Sequence, residues 1–307
     1  MGRVVVLGAS LMDMNLRLDR LPTRGETRLG REFFSMPGGK GANQAVAARR
    51  AGGEVVFLTA FGHDDFGRQI RDRYFDEGID LRHARIVDTD PSGVALILVG
   101  DDGENLIGVT MGANARLTPE WVDELPDDVF APPGVLLASL EVPLEVVRRA
   151  IERANRSGMP VILNPAPMSA NLWSDRDPPN IDVLTPNQTE AGILTGMNAS
   201  TDPSIIADAL VAMGVGTFVL TLAEEGCLVV EGKTRVKLPA HRVRAVDTVG
   251  AGDAFNGALA VALAEGLALV EAATRANAAA AIAVTHPGAQ GSLPTRDAIE
   301  RMMAGRH

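Results

Sequence analysis

The sequence predicts an α/β fold: a doubly wound, mostly parallel sheet flanked by helices, with a small β-sheet lid. Two observations predict it. Short β-branched runs alternate with longer Ala-rich stretches of helical length, the rhythm of βαβ crossovers. Two distant segments break that rhythm with extended or turn-rich chemistry of their own.

The alternation begins with a strand at Val4–Leu7, a helix at Asn43–Ala51, a strand at Val55–Thr59 and a helix at Phe66–Glu77. It continues with strands at Val135–Leu140, Val161–Asn164, Val183–Thr185 and Thr217–Leu222, and a helix at Leu144–Ser157. Arg17–Met36 carries Pro22 and Gly25 among charged residues and has no helical period. Ser92–Thr110 reads as a hairpin, with Val94–Leu98 and Asn105–Val109 joined by a turn at Asp101, Asp102 and Gly103. Those two segments are expected to pair as a lid formed by about residues 12–37 and 90–110, on a single domain covering 1–307. Surface decoration is the alternative.

Composition excludes several classes of function. The 307 residues are 46% hydrophobic and 22% charged, which suits a packed globular core. Net charge is −10 and no block of basic residues occurs, so neither nucleic acid nor an anionic membrane is an expected partner. Cys227 is the only cysteine and the five histidines are scattered, which leaves no disulfide framework and no zinc spacing. With no membrane-length apolar run and no charged leader, the cytoplasm is the expected compartment.

Two glycine-rich segments carry the chemistry. Pro37-Gly38-Gly39-Lys40-Gly41-Ala42-Asn43-Gln44 sets three glycines and a lysine before a helix, where a hydroxyl-bearing ligand could approach the backbone. A capped turn is the plain alternative. Neither this segment nor Gly232-Lys233-Thr234 is a phosphate-binding Walker loop: Gly41 follows Lys40, and Cys227 stands where the first glycine belongs.

The second segment, Asp247-Thr248-Val249-Gly250-Ala251-Gly252-Asp253-Ala254-Phe255-Asn256-Gly257, leads into an apolar helix at Ala254–Ala264. Small residues there let amides converge at the positive end of a helix, which suits an anion. Asp253 alone would be a first-turn carboxylate; beside an anion turn it can take a proton from an attacking hydroxyl. A dinucleotide fingerprint is excluded, because its frame would need glycine at Phe255.

Together these segments resemble the two signatures of the ribokinase family, also called the phosphofructokinase-B family. Asn164-Pro165-Ala166-Pro167, Thr185-Pro186-Asn187-Gln188-Thr189-Glu190 and Ala283–Pro294 are similar to further family segments, in the same order. The resemblance implies a sugar kinase using ATP, Mg2+ and K+, and often a homodimer formed through the lids.

It also implies roles. Asp253 matches the catalytic base, and Gly250, Ala251 and Gly252 match the turn whose amides hold the transferring group. Asn187 and Glu190 match a pair that helps hold magnesium through water; from the residues alone they are a turn and its cap. Thr221, Leu222, Ala223, Glu224, Glu225, Gly226 and Asn277 fall at nucleotide contacts, together with Gly252 and Asp253, although Ala223 replaces the glycine usual there. Asp247, the carbonyls of Val249, Ala283, His286 and Gly288, and Ser292 fall at a monovalent-cation site. Leu11, Met12, Asp13, Gly39, Lys40, Gly41, Ala42, Asn43 and Glu141 fall around the sugar.

Leu11 departs from the family pattern, since many ribokinases carry Asn two residues before the aspartate equivalent to Asp13. An unpaired buried hydroxyl costs about 1–3 kcal/mol, so the site is expected to take ribose or 2-deoxyribose, the latter if Leu11 faces the sugar. A nucleoside kinase or a kinase for another sugar is the runner-up, and the 4% of aromatic residues disfavours the nucleoside. A non-catalytic sensor would have no need of the base.

Overall fold

The structure, a computed structural model, describes residues 2–168 and 180–305. Residues 3–7 are consecutive apolar side chains after Arg3, and such a run suits a strand covered on both faces. It forms β1 (Arg3–Leu7), flanked in register by β4 (Glu54–Leu58) and β9 (Val135–Ser139). The sheet continues through β10 (Val161–Asn164), β11 (Val183–Leu184) and β12 (Thr217–Thr221), all parallel. It ends in an antiparallel pair, β13 (Cys227–Glu231) and β14 (Thr234–Leu238). The order is β14-β13-β12-β11-β10-β9-β1-β4.

Period-two alternation along β1 divides the core. Val4 and Val6 pack with α1 (Lys40–Arg50), α7 (Ala251–Ala264) and α8 (Leu269–Ala283) on one face. Val5 and Leu7 pack with α3 (Pro119–Glu124) and α4 (Leu144–Ser157) on the other. The doubly wound architecture follows directly from that alternation.

A second sheet stands apart, with order β3-β2-β7-β8: β2 (Leu11–Leu18), β3 (Glu32–Gly38), β7 (Gly93–Gly100) and β8 (Asn105–Thr110). The hairpin expected at 92–110 is β7–β8, turning at Gly103, whose φ is 85°. Segment 17–36 is more ordered than its turn chemistry indicated. Its last residues form β3 because β2 supplies the ladder from Arg17–Glu32 to Leu11–Gly38. Within the loop between them, Arg28 joins Asp19 and Glu26, and Arg20 joins Glu26.

Two helix starts lie earlier than the sequence indicated. Gly39, at φ 90°, is the N-cap of α1, so Asn43 sits inside the helix and is not its cap. Gly250, at φ 81°, caps α7, which places Gly252 and Asp253 in its first turn. In both, a glycine in the left-handed region turns the chain, and small residues follow it into the helix. Gly232-Lys233-Thr234 lies at the β13–β14 turn. No helix among the described residues is long and apolar enough to cross a membrane.

Candidate active site

The site lies where β1, β9 and β10 end beneath the second sheet. Gly41 makes this junction possible: a Cβ there would sit 2.5 Å from the Gly8 backbone, so only glycine lets α1 start against the end of β1. Asn43 and Gln44 on α1 then face Asp253 in the first turn of α7.

Asp253 is buried, and each carboxylate oxygen accepts from a carboxamide. Asn43 Nδ2 donates to Oδ2 at 3.0 Å and Gln44 Nε2 to Oδ1 at 3.1 Å. Gln44 Nε2 also donates to Asn164 Oδ1 at 2.9 Å, and Asn164 Nδ2 donates to the Thr185 carbonyl at 3.0 Å. Gln44 Oε1 is buried and accepts from no group among the described residues. An orphaned acceptor costs about 1–3 kcal/mol, and it is tolerated here because both Gln44 N–H groups face acceptors.

Burial pushes the Asp253 carboxyl up, opposed by Lys40 and by the Asn43 and Gln44 amides. Burial, followed by the Asp253 charge, raises Asp13 to about 7. The same two causes raise Glu141 to about 7, against the Gly41 amide and Lys40. Glu141 Oε2 accepts from the Gly41 amide at 3.2 Å. Gly38 makes room for Asp13, since a Cβ there would fall 2.0 Å from its carboxylate.

The remaining expected sugar residues divide by face of β2 and α1. Met12 and Ala42 lie in the core with α7 and α8; Met12 is in a strand paired on both sides, and the Ala42 amide donates to the Ala9 carbonyl at 3.1 Å. Leu11 is 4% exposed in the opposite core; a Cβ on Gly39 would lie 3.3 Å from its Cγ and one on Gly93 2.4 Å from its Cδ2.

Beyond Asp253 opens a cleft of about 720 Å3 lined by Asn187, Thr221, Ala223, Glu224, Gly226, Gly252, Ala251 and Asn277. Leu222 is absent from its walls because it packs in the core, and Glu225 turns to Lys237 at 2.6 Å. Gln188, Thr189, Ala240, His241, Arg242, Val243, Ala245, Thr248, Phe255, Ala280, Ala281 and Val284 complete the walls. Gln188, Thr189, Thr248, Phe255 and Val284 lie in segments the sequence singles out, whereas no sequence signal marks residues 240–243, 245, 280 and 281. Asn277 Nδ2 donates to the Pro239 carbonyl at 2.7 Å.

Asn187 and Glu190 form a capping box at α5 (Gln188–Thr195): Asn187 Oδ1 accepts from the Glu190 amide at 2.8 Å, and Glu190 Oε2 from the Asn187 amide at 2.9 Å. Burial raises the Glu190 carboxyl, with Lys40 opposing. Among the described residues the Gly252 and Asp253 amides donate to no acceptor, whereas the Ala251 amide already donates to the Thr248 carbonyl at 3.3 Å. The free donors at this helix end are therefore aimed at the cleft.

Asp247 ties two loops: Oδ1 accepts from the Val249 amide at 3.0 Å and Oδ2 from the Gly288 amide at 2.8 Å. The Ala283 carbonyl accepts from the His286 amide at 3.2 Å, and Ser292 Oγ donates to the Ala289 carbonyl at 2.7 Å. One carboxylate, one hydroxyl and several carbonyls are hard oxygen donors that fit a monovalent ion. Among the described residues no cluster of three His, Cys, Asp or Glu side chains could hold a metal.

A buried carboxylate beside free helix-start amides, on a doubly wound sheet, at the mouth of a nucleotide-sized cleft, defines a phosphotransferase acting on an alcohol. Comparison with known proteins is more specific. Residues 1–296 match the model of the pfkB family carbohydrate kinases, and the chain belongs to that family of ATP-dependent sugar kinases. A ribokinase from Haemophilus influenzae is 40% identical over 296 residues, 95% of each chain. A deoxyribokinase from Salmonella typhi is 37% identical over 294 residues, again 95% of each. A ribokinase structure from Arabidopsis thaliana, complexed with ribose and ATP, superposes with a TM-score of 0.88 at 31% identity over 98% of each chain.

Proposed function

We propose that this chain transfers the γ-phosphoryl group of ATP to the primary hydroxyl of a pentose, D-ribose first, in the cytoplasm. The observation that carries this reading is Asp253, held by Asn43 and Gln44 at the start of α7, between the sugar-facing motif and the cleft. The similar ribokinases support the choice of sugar.

Asp13, Asn43 and Glu141 hold the sugar hydroxyls, with Gly39, Lys40 and Gly41 at close approach. The primary hydroxyl gives its proton to Asp253 and attacks the γ-phosphorus as its bond to the bridging oxygen breaks and ADP leaves, while the Gly252 and Asp253 amides, and Gly250 beside them, stabilise the transferring charge. ATP occupies the cleft between Thr221–Gly226 and Asn277. Asn187 and Glu190 would hold Mg2+ through water, and the ion would supply positive charge to the phosphates. Asp247 and Ser292, with the carbonyls of Val249, Ala283, His286 and Gly288, would hold K+, which would supply positive charge beside the loops flanking the amides.

The second sheet acts as the lid, and its outer face joins two copies. Phe33, Leu96 and Leu106, which the strand register puts on the face opposite Asp13, are each more than half exposed, which favours a homodimer. Sedimentation of the parent and of Leu106→Glu tests it: both running as monomers would sink the dimer.

A second reading, 2-deoxyribose as the preferred sugar, is favoured by Leu11, which places no hydrogen-bonding group beside Asp13, and by the similar deoxyribokinase. ADP release with Mg2+-ATP, with and without K+, comparing ribose, 2-deoxyribose, fructose and adenosine, decides between them. Turnover fastest on ribose supports the first reading, and fastest on 2-deoxyribose the second. Silence on both pentoses would overturn the substrate class.

A further inference from the structure

A third segment, outside both glycine motifs, reaches the base. Gln290 lies in α9, the four-residue helix Ala289–Ser292, 247 positions from Asn43, and it is buried. Its Nε2 donates to Asn43 Oδ1 at 3.2 Å and to the Tyr74 hydroxyl at 3.3 Å. Its backbone carbonyl accepts from Arg50 Nη1 at 2.6 Å. Tyr74, on α2 (Asp65–Asp76), is fully buried and also accepts from Ser10 Oγ at 3.3 Å, with its ring edge-on to Phe57. The Gln290 side-chain nitrogen is therefore shared between Asn43 and Tyr74, while its backbone is anchored by Arg50.

A carboxamide is nearly symmetric in shape and wholly asymmetric in chemistry, because one end accepts and the other donates. Asn43 fits its slot either way round. With Gln290 Nε2 on its oxygen, the Asn43 nitrogen is the end that meets Asp253. The reversed amide would set an acceptor against a buried carboxylate and a donor against a donor. We infer that Gln290 is a positioning residue that fixes which end of Asn43 faces Asp253, and thereby sets the orientation of the base. This rests on Asp253 being the base, and Gln290 acts only through Asn43.

The groups facing Asp253 are Lys40, Asn43 and Gln44 of α1, Asp13 of β2, Glu141 beyond β9 and Glu190 of α5. Tyr74 of α2 and Arg50 of α1 face Gln290. None of these is altered when Gln290 is replaced, so a change in the pH profile reports Asn43. Losing the Asn43 donor removes one hydrogen bond to the ionised carboxylate and raises its pKa. A general base fails below its pKa, so the acid limb of kcat moves to higher pH.

The test compares Gln290→Met, which has no polar end, with Gln290→Glu, which when ionised can only accept and draws the Asn43 nitrogen away from Asp253. The expected loss in kcat is on the order of tenfold for Met and on the order of a hundredfold for Glu. The acid limb in Gln290→Met should rise by roughly one pH unit. Equal losses in the two variants with an unmoved acid limb would show that Gln290 only fills space, and the inference would be wrong. Should the Glu variant not fold, the acid limb of Gln290→Met decides alone. Asp253→Asn run alongside separates the two claims. An inactive Asp253→Asn with parent-like Gln290 variants defeats this inference only, whereas an active Asp253→Asn defeats the base and the inference together.

Discussion

The two halves of the active site are built on opposite terms. At the end we assign to the sugar, Asp13, Asn43, Glu141 and Asp253 are polar side chains crowded into a space whose burial raises the three carboxyls. At the end we assign to the nucleotide, small and apolar side chains share the walls with scattered polar ones, Asn187, Gln188, Thr189, Thr221, Glu224, His241, Arg242 and Thr248, and the Asn277 amide is tied to the Pro239 carbonyl. The sugar end is an arrangement in which each group constrains the next. The nucleotide end is a shaped opening that imposes little on its own residues. Substitutions at the first should therefore change rate, specificity and pH response, and those at the second mainly stability and affinity.

The largest effect expected is at the base. Asp253→Asn should lower kcat by roughly 10²- to 10⁴-fold, read by ADP release at saturating sugar, while a loss under tenfold would remove Asp253 from that role. Next comes Glu141→Gln, which should weaken sugar binding by about tenfold or more and yet stabilise the sugar-free protein at alkaline pH.

The sign of that second effect follows from the raised carboxyl. Glu141 is held near 7 in the fold and lies near 4.5 when the chain is open. Between these values the folded state binds more protons, so stability falls as pH rises through the window. Glu141→Gln removes that slope, and its melting temperature should exceed the parent's at pH 8 and converge with it near pH 4. The same melting temperature gap at both pH values would show that the carboxyl is not strained.

Leu11→Asn should shift the ratio of kcat/KM for 2-deoxyribose over ribose by on the order of tenfold towards ribose. An unchanged ratio would make Leu11 a packing residue only. The smallest effect belongs to the nucleotide end. Ala223, at φ 49°, is the only non-glycine residue in the left-handed region among the described residues. Ala223→Gly should relieve about 1–2 kcal/mol of strain, part of it offset by the freer unfolded chain. A modest rise in melting temperature with kcat unchanged is expected, and a fall in melting temperature would contradict it.

Much of this comparison was legible beforehand, for physical reasons that differ by residue. Gly38–Gln44 and Asp247–Gly257 were readable because the constraints on them are local: a turn, a cap and a carboxylate within one stretch of chain. The central strands were readable because burial on both faces leaves short runs of mostly apolar residues. β3 was not, since its partner β2 defines it and its own residues are mostly half-exposed. Gln290 and Tyr74 were not, because no local pattern marks a side chain whose purpose lies more than 200 residues away. The strain at Ala223 was foreshadowed only by a glycine missing from a familiar turn.

Asn43 meets its carboxylate 210 positions along the chain and its amide neighbour 247 positions along. A ribosome adds residues one at a time, at about 5–20 per second. By residue 240 it has delivered every strand of the two sheets described, and still not Asp253, to which we assign the sugar's proton. A nascent chain thus has its framework long before it has any chemistry, and an interrupted one is left inert, unable to spend nucleotide.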